Sequence, residues 1–197
     1  MNDAIASRQP RSREEFFAIM QADARHRAGI SVLPADLRAA ARARAHTGLR
    51  AITAPGFVCV ALYRLRVTLL RWHVPVAPWL LHRASMALFN VRIGELVSVE
   101  GGLALPEGNV VIDGVTRIGR DATIGPWVTI GLRRNVYVGP RIGDGVTVGA
   151  RASIAGNIII GDGATVATGA AVSRDVDAGV GVAGVPAQPV GDGTDVR

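Results

Sequence analysis

The chain has no lysine and a single cysteine, and both shortages limit what the protein can be. All 22 basic side chains among its 197 residues are arginines, a usage typical of a GC-rich coding bias. One cysteine, Cys59, excludes a disulfide framework, which argues against the small secreted folds that disulfides stabilise. We therefore expect a cytoplasmic protein.

Long apolar runs are missing as well. Residues 56–91 are rich in apolar side chains, but Arg64, Arg66, Arg71 and Arg83 interrupt them, and no uncharged stretch reaches the ~20 residues that span a bilayer. The N-terminus also lacks the apolar core of a signal peptide. The sequence predicts no transmembrane segment, although an arginine-rich amphipathic segment remains compatible with contact at a membrane surface.

Acidic residues are scarce in the first half of the chain. Residues 1–91 contain 13 arginines and 5 acids, a net charge of +8, whereas residues 92–197 contain 9 arginines and 11 acids, a net charge of −2. A basic half can meet phosphates or nucleic acid, but no nucleic-acid recognition motif accompanies it. We expect a solvated helical face and no nucleic-acid partner. No Cys/His cluster has metal-ligand spacing, so no metal is expected either.

What the chain does have is a period of six. Ile or Val fills eleven consecutive positions of one hexad register, each usually followed by Gly or Ala. These anchors are Ile112, Ile118, Ile124, Ile130, Val136, Ile142, Val148, Ile154, Ile160, Val166 and Val172. Neither a helix nor an alternating strand has this period. It indicates short strands and tight corners repeated along a coil, which is a hexapeptide β-solenoid.

The period continues upstream but is disturbed at two places. One extra residue separates Leu105 from Ile112. Over residues 132–141 the count of six is kept, but Arg134 and Pro140 occupy positions that should point inward, so we predict a loop that leaves the coil there. Because a regular coil offers only repetitive surface, we expect the functional site at these two irregularities.

The first half of the chain predicts helices. Amphipathic patterns indicate helices over residues 12–29, 35–51, 57–72 and 79–90. We expect an α-helical segment over residues 1–91, a β-solenoid domain over 92–190 and a flexible tail over 191–197. The four histidines, His26, His46, His73 and His82, all lie in the helical segment, where histidines are usually surface or packing residues.

Several motifs are shared with one family. They are Pro55-Gly56-Phe57 with Ala61-Leu62-Tyr63-Arg64, the coils that begin Ile142-Gly143-Asp144-Gly145 and Ile160-Gly161-Asp162-Gly163, and the ending Gly184-Val185-Pro186-Ala187. Over roughly residues 50–190 the chain resembles the serine O-acetyltransferase branch of the left-handed β-helix acyltransferases. The resemblance implies a mainly β fold, a left-handed parallel β-helix of hexapeptide repeats preceded by an α-helical segment, assembled as a homotrimer.

The resemblance also implies a co-substrate, acetyl-CoA or another acyl-CoA, lying in a groove between neighbouring subunits where small side chains are needed. The cofactor-binding residues it implies are Gly131, Gly149, Ala150, Thr168, Arg174, Gly184 and Pro186. Arg174 stands where the family commonly has lysine, and a guanidinium suits a CoA phosphate because it can form two parallel hydrogen bonds. The glycines have a second interpretation, which is that they simply turn corners.

At the catalytic positions the chain departs from the family. The family's histidine, which deprotonates the acceptor hydroxyl, follows Leu-Pro, and here Leu105-Pro106 is followed by Glu107. A second family histidine falls at Gly139, and an acidic residue of the N-terminal helices falls by counting at Ala41. Residues 92–197 contain no histidine. The scaffold is retained, whereas the expected chemistry is not.

One hypothesis is an acyltransferase with a changed small-molecule acceptor. Glu107 is then the base, which suits an amine or an acidic hydroxyl but is weak for serine unless burial raises its pKa. Arg133, Arg134 or Arg141 orients an anionic acceptor or stabilises the oxyanion. Trp127 forms a wall of the acceptor site.

The alternative hypothesis is a catalytically inactive relative that serves as a structural or regulatory subunit beside a partner protein. In that case Glu107 is only a solvated corner residue. A third option is that His73 or His82 reaches over the groove and replaces the missing base. The sequence identifies neither the acceptor nor the acyl chain.

Overall fold

The computed structural model describes residues 33–44, 55–134 and 138–192, where three helices precede a series of short strands. The helices are α1 (Leu33–Arg44), α2 (Pro55–Arg71) and α3 (Ala77–Phe89). The strands are β1 (Arg92–Ile93), β2 (Ser98–Val99), β3 (Val111–Ile112), β4 (Val115–Ile118), β5 (Thr123–Ile124), β6 (Thr129–Gly131), β7 (Val138–Ile142), β8 (Thr147–Val148), β9 (Ser153–Ala155), β10 (Ile159–Ile160), β11 (Thr165–Val166), β12 (Ala171–Val172), β13 (Val180–Ala183) and β14 (Gln188–Asp192).

The helices lie close to where the apolar pattern predicts them. Helices α2 and α3 begin at residues 55 and 77, against predicted starts of 57 and 79, and they end one residue before the predicted ends. Helix α1 begins at residue 33 against a predicted 35. The helix predicted for residues 12–29 and the predicted end of the second helix, 45–51, lie outside the described residues.

The strands form three sheets, and the chain passes from sheet 1 to sheet 2 to sheet 3 and back to sheet 1. Sheet 1 contains β1, β3, β6, β9 and β12; sheet 2 contains β2, β4, β7 and β10; sheet 3 contains β5, β8, β11 and β13, with β14 added antiparallel. Single bridges, Ala104 to Thr123 and Ile160 to Val176, complete the first and last coils. The five coils form a left-handed three-sided prism, and the predicted fold class is confirmed.

The interior of the prism is filled by the hexad anchors. Ten of the eleven have exposed fractions between 0% and 4%, and the small residues four places on are buried between them. Because parallel strands lie about 4.8 Å apart, each anchor packs on its equivalent in the coils above and below. One continuous apolar core therefore runs along the whole axis, as the period of six predicts.

The third coil contains six extra residues. Ile112 pairs with Ile130, and Ile154 with Val172, each 18 residues further along the chain. Ile130 instead pairs with Ile154, which is 24 residues further. An insertion as long as the repeat leaves the hexad register unchanged, so the sequence alone counts Val136 as an anchor. Val136 lies outside the described residues, and Ile142 is the next anchor after Ile130 in the sheets.

The loop predicted for residues 132–141 is too long. Its second part belongs to β7, where Pro140 is buried and therefore does point inward, whereas Arg134 is exposed. The prediction was wrong here because a buried proline was taken as a sign of departure from the coil. A register shift opposite Thr116 accommodates it, with Gly139 so close to the Thr116 hydroxyl that a Cβ would not fit.

A buried ion pair fixes the helices to the first coil. Arg64 of α2 donates to Asp36 of α1 through Nε at 2.9 Å and Nη2 at 3.1 Å, and neither side chain is exposed. Arg64 also donates to the Val99 carbonyl oxygen at 2.6 Å, while Asp36 accepts from the backbone N–H groups of Gly102 and Leu103 at 2.9 and 3.1 Å. Such a pair is tolerated because every charged atom has a partner.

Helix α2 packs directly on the turn that leads to Glu107. A Cβ on Gly56 would overlap the Leu105 carbonyl, so only glycine permits this approach. Further along the helix, the Tyr63 hydroxyl donates to the Val97 carbonyl oxygen at 2.8 Å. Cys59 is fully buried in the same contact, and burial raises its pKa to about 12, which leaves it an unreactive thiol.

Candidate functional site

Three edges separate the sheets, and one of them contains half of the predicted site residues, including Glu107 and Trp127. At this 3–1 edge, where sheet 3 leads into sheet 1, the corners of successive coils stack through backbone hydrogen bonds. The Trp127 N–H donates to the Asn109 oxygen at 2.7 Å, and the Arg151 N–H to the Pro126 oxygen at 2.9 Å. The Gly169 N–H donates to the Ala150 oxygen at 2.8 Å. Glu107 opens this column, because it follows Ala104 of sheet 3 and precedes β3 of sheet 1.

The corners of the 3–1 edge have an unusual backbone. Asn109, Trp127 and Arg151 have φ values of 54°, 62° and 60°, and Gly169 has 71° in the next coil. The left-handed region is disfavoured for bulky side chains, which is why glycine normally fills it. Coil stacking holds Trp127 and Arg151 in this left-handed conformation, and both side chains are exposed. Backbone strain of this kind is more frequent at functional sites than elsewhere.

The end of helix α3 supports the corner that carries Glu107. The Asn109 N–H donates to the Phe89 oxygen at 3.2 Å, and the Asn90 side-chain amide donates to Oδ1 of Asn109 at 3.2 Å. Gly108 lies so close to the Phe89 oxygen that a Cβ would stand 3.0 Å from it. Glu107 itself is exposed. Its backbone is thus fixed from one side while its carboxylate remains open to a ligand.

The predicted arginines lie elsewhere in the chain. Arg133 and Arg134 follow β6 at the 1–2 edge, where sheet 1 leads into sheet 2, and both are exposed. The Arg133 side chain lies beside Gly156 of the next coil, and Arg141 is exposed within β7 of sheet 2. A single chain therefore does not bring these three arginines together with Glu107.

The predicted cofactor residues divide between edges. Gly149, Ala150 and Thr168 lie on the 3–1 edge, and Gly184 joins them because its carbonyl accepts from the Ala171 N–H at 3.0 Å. Gly131, the last residue of β6, and Arg174, two residues after β12, lie toward the 1–2 edge instead. Gly149 is required by packing whatever binds outside, because a Cβ there would stand 2.5 Å from the Thr168 nitrogen.

A pocket at the end of the prism brings Arg174 and Pro186 together. It has a volume of about 220 Å³ and an apolar floor that includes Val172, Val176 and Val182. Pro186 and Ala187 of the Gly-Val-Pro-Ala segment line one side, and the Ala187 N–H donates to the Ala171 oxygen at 2.9 Å. The pocket presents the guanidinium of Arg174 beside an apolar surface, together with the carboxylates of Asp175 and Asp177.

At the 2–3 edge, where sheet 2 leads into sheet 3, two carboxylates bind the backbone of the preceding coil. Oδ1 of Asp144 accepts from the Arg120 N–H at 2.6 Å, and Oδ1 of Asp162 accepts from the Asp144 N–H at 2.8 Å. Gly119 and Gly143 make room for the carboxylates of Asp144 and Asp162, each in the next coil. Within the described residues no group of three His, Cys, Asp or Glu side chains could hold a metal ion.

Neither of the described histidines is placed at the 3–1 edge. Nδ1 of His82 lies 2.9 Å from Nη1 of Arg66, which also donates to the Ile93 oxygen at 2.8 Å. Arginine can only donate, so this nitrogen accepts and the imidazole is neutral with its proton on Nε2. Burial, then the charge of Arg66, lowers the pKa of His82. His73 is exposed just beyond the end of α2.

Two features of the molecule escape sequence reasoning, one at the 3–1 edge and one where the helices meet the prism. Arg151 is on the 3–1 edge but looks like one more polar residue between small ones, and only its positive φ marks it. Asp36 is the acidic residue of the N-terminal helices that contacts the prism, whereas counting from the family motif leads to Ala41. A buried aspartate five residues away carries no signal in the sequence pattern.

Comparison with known proteins agrees with this architecture. Residues 134–174 match the family described as bacterial transferase hexapeptide (six repeats). No curated protein sequence matches the chain closely enough to serve as a relative.

Solved structures are similar over most of the chain. The serine acetyltransferase of Brucella abortus strain S19 has 28% identity and a TM-score of 0.76, covering 82% of this chain and 68% of that one. The Neisseria gonorrhoeae serine acetyltransferase has 30% identity and a TM-score of 0.75, covering 83% and 66%. The Brucella abortus enzyme in complex with coenzyme A has 27% identity and a TM-score of 0.75, covering 82% and 67%.

The chain thus spans about two thirds of the length of these enzymes. The resemblance to serine acetyltransferases that its motifs suggest is confirmed.

Proposed function

We propose that this chain, a hexapeptide-repeat protein similar in sequence motifs and fold to the serine acetyltransferases, is an acyltransferase. It transfers an acyl group, acetyl in the first instance, from CoA to an amine or hydroxyl of a small-molecule acceptor. The observation that carries the proposal is the 3–1 edge, which aligns Glu107, Trp127, Ala150 and Thr168 at successive corners.

The small corners of this edge suit the pantetheine arm. Three coil spacings of about 4.8 Å separate the Glu107 corner from the Thr168 corner, roughly 14 Å in all. That is a length an extended pantetheine can cover, with its thioester toward Glu107 and its phosphates toward Gly184. Arg174, in the pocket beside Pro186, then supplies a cation near the nucleotide end. The Brucella abortus relative in complex with coenzyme A supports this part of the proposal.

In this proposal Glu107 acts as the general base. Its carboxylate accepts the proton of the acceptor as the acceptor nitrogen or oxygen bonds to the acyl carbon and the carbon–sulfur bond breaks. The proton then passes to the departing thiolate, so the carboxylate is regenerated. Since Glu107 is exposed, an amine or an acidic hydroxyl suits it better than serine does.

The acceptor lies against Trp127, one coil from Glu107. The indole is 57% exposed and offers a flat apolar wall. Arg151 occupies the equivalent corner one coil further and adds a guanidinium, which favours an acceptor with a negative charge. Arg133, Arg134 and Arg141 belong to the site only if a neighbouring copy presents its 1–2 edge, as the expected homotrimer of prisms would allow.

The decisive experiment replaces Glu107 by Gln in the full chain. Acetyl-CoA binding is measured by calorimetry, and acetyl transfer is assayed with panels of amines and hydroxyl compounds. We expect unchanged binding and a loss of turnover of about a hundredfold or more, in the range typical of a general base. The matched control is Glu95→Gln, an exposed glutamate at a corner of the 1–2 edge, which should leave both properties unchanged. Turnover that survives Glu107→Gln removes Glu107 from the mechanism.

The second candidate is a catalytically inactive subunit, and the packing of Gly149 favours it. Because coil stacking requires that glycine, its presence does not depend on a bound cofactor. The inactive protein would bind no acetyl-CoA at millimolar concentration and would copurify with a partner protein. Micromolar binding together with transfer to any acceptor excludes it.

A further inference from the structure

The tip of the α2–α3 hairpin exposes large apolar side chains next to arginines. Trp72, Val76, Trp79 and Leu80 are 72%, 65%, 57% and 52% exposed. Together with Arg71, His73 and Arg83, which are also exposed, they form what we call the hairpin patch. Four large apolar side chains gathered at one tip are unusual for a surface that contacts only water.

The patch is organised as one surface. The Val76 carbonyl accepts from the N–H groups of both Trp79 and Leu80 at 3.1 Å, so the turn and the first turn of α3 are continuous. The Arg83 guanidinium lies 5.3 Å from the centre of the Trp79 ring. An arginine laid over tryptophan keeps its aliphatic stem on apolar surface and its charge toward the solvent.

The positive charge of the hairpin patch indicates what kind of partner it can bind. Residues 55–94 contain five arginines and no aspartate or glutamate. Arg64 and Arg66 are buried, and Arg92 pairs with Asp113 at 3.0 Å, so the positive charges displayed outward are those of Arg71 and Arg83 in the patch. The solenoid half has a net charge of −2, which makes this end of the molecule the basic one.

A second copy of the chain is a poor occupant. Two hairpin patches facing each other would oppose arginines to arginines with no carboxylate between them. The chain's own first 54 residues, with 9 arginines and 5 acids, have the same sign as the patch. An apolar surface rimmed only by positive charge is complementary to an anionic one that also accepts indole and leucine side chains.

We propose that the hairpin patch docks on the surface of an anionic lipid bilayer. Trp72 and Trp79 lie at headgroup level, where indole is favoured, while Val76 and Leu80 reach the start of the acyl chains. Arg71 and Arg83 pair with lipid phosphates. No described helix is long and apolar enough to cross the bilayer, so the contact is peripheral and reversible. This inference is independent of the acyl-transfer proposal.

Tryptophan fluorescence tests the proposal directly, since the three tryptophans are divided between the patch and the 3–1 edge. Vesicles of phosphatidylcholine with and without one third phosphatidylglycerol are added to two variants. Trp127→Phe retains the patch reporters, and its emission should shift to the blue with anionic vesicles only. Trp72→Phe with Trp79→Phe leaves Trp127, whose emission should not shift. Equal shifts in both proteins overturn the proposal.

Vesicle flotation measures the strength of binding. We expect about fivefold weaker binding for each of Arg71→Gln and Arg83→Gln, and loss of most binding at high salt. Trp79→Ala with Leu80→Ala should weaken binding at least about tenfold. The matched controls are Arg120→Gln and Ile159→Ala, an exposed arginine and an exposed apolar residue of the solenoid. Circular dichroism verifies the fold of each variant.

Two results overturn the inference. One is the absence of flotation of the native protein with anionic vesicles at low salt. The other is a concentration-dependent increase in mass that Trp79→Ala with Leu80→Ala abolishes, without any vesicle binding, which would make a second copy the occupant. Should the alanine variant fail to fold, the phenylalanine variants still decide the question.

Discussion

The 2–3 edge and the 3–1 edge of the prism are built on the same backbone plan and serve different ends. Both turn through positive φ, at Gly145 and Gly163 on one and at Trp127 and Arg151 on the other. On the 2–3 edge Asp144 and Asp162 each bind the backbone of the preceding coil, and the corner residues are mostly glycine. On the 3–1 edge large side chains occupy the same conformation and face solvent. With the proposed site on the 3–1 edge, this repeat protein separates stability from function by edge rather than by domain.

The largest expected effect is at Asp36, which accepts hydrogen bonds from the backbone of the first corner of the 2–3 edge. Asp36→Ala leaves Arg64 buried without a counter-charge and two backbone N–H groups without an acceptor. We expect a loss of about 3–5 kcal/mol in the free energy of unfolding. Urea denaturation measures it, with Arg38→Ala, an exposed residue of the same helix, as the control. A loss below about 1 kcal/mol would contradict the structural role.

A second test compares two glycines of the 2–3 edge. A Cβ on Gly143 would stand 2.8 Å from the Asp162 nitrogen, whereas one on Gly145 would meet no atom within 4 Å. Gly143→Ala should therefore cost about 3 kcal/mol through overpacking and the lost carboxylate contact. Gly145→Ala should lower the free energy of unfolding by only about 1 kcal/mol, the cost of holding alanine in a left-handed conformation. Thermal and urea unfolding of both variants measure the difference, and equal costs would mean that contact between coils is not what requires glycine.

On the 3–1 edge the same kind of substitution should behave in the opposite way. Trp127→Gly relieves the left-handed strain at a residue with φ of 62°, while glycine gains backbone entropy when unfolded. We expect the free energy of unfolding to change by no more than about 1 kcal/mol and turnover to be lost. Thr129→Ala, on the flat face two residues away, is the control for both. A large loss in the free energy of unfolding would mean that Trp127 stabilises the fold by packing, which would contradict the proposed difference between the two edges.

The smallest expected effect concerns the contact between helices α2 and α3 at His82 and Arg66. Because the pKa of His82 is lowered in the folded protein, the unfolded chain binds more protons between that lowered pKa and 6.5. Stability should therefore fall as pH decreases through that window and level off below it. His82→Gln should remove this part of the pH dependence, as urea unfolding between pH 5 and pH 7 would show. An unchanged dependence of stability on pH would mean that protonation of His82 does not weaken its contact with Arg66.

Much of the fold could be predicted because burial repeats with a fixed period. The hexad anchors determine which residues face inward, and the helical pattern located α2 to within two residues at either end. The inserted hexapeptide could not be detected, because it preserves the register of every later anchor. Only the pairing of Ile130 with Ile154 reveals it.

The candidate site was harder to predict than the fold. Glu107 could be found because it replaces a known position in a motif, and Trp127 because it is a large aromatic residue among small ones. Arg151 and Asp36 could not, since their importance depends on a backbone angle and on a contact between residues 66 positions apart. Pairwise contacts between distant segments leave no periodic trace in one sequence.

The register of the third coil has a consequence for how the sequence of such a repeat protein can evolve. Ile142 returns to the same face as Ile118 although the route between the coils is six residues longer. The single extra residue before Ile112 is absorbed in the same way, with Ile93 and Ile112 still paired. The number of residues at a corner can therefore change without altering the core. Insertions and deletions there can reshape the loops that contact a ligand, while each layer of the core keeps the same neighbouring layers.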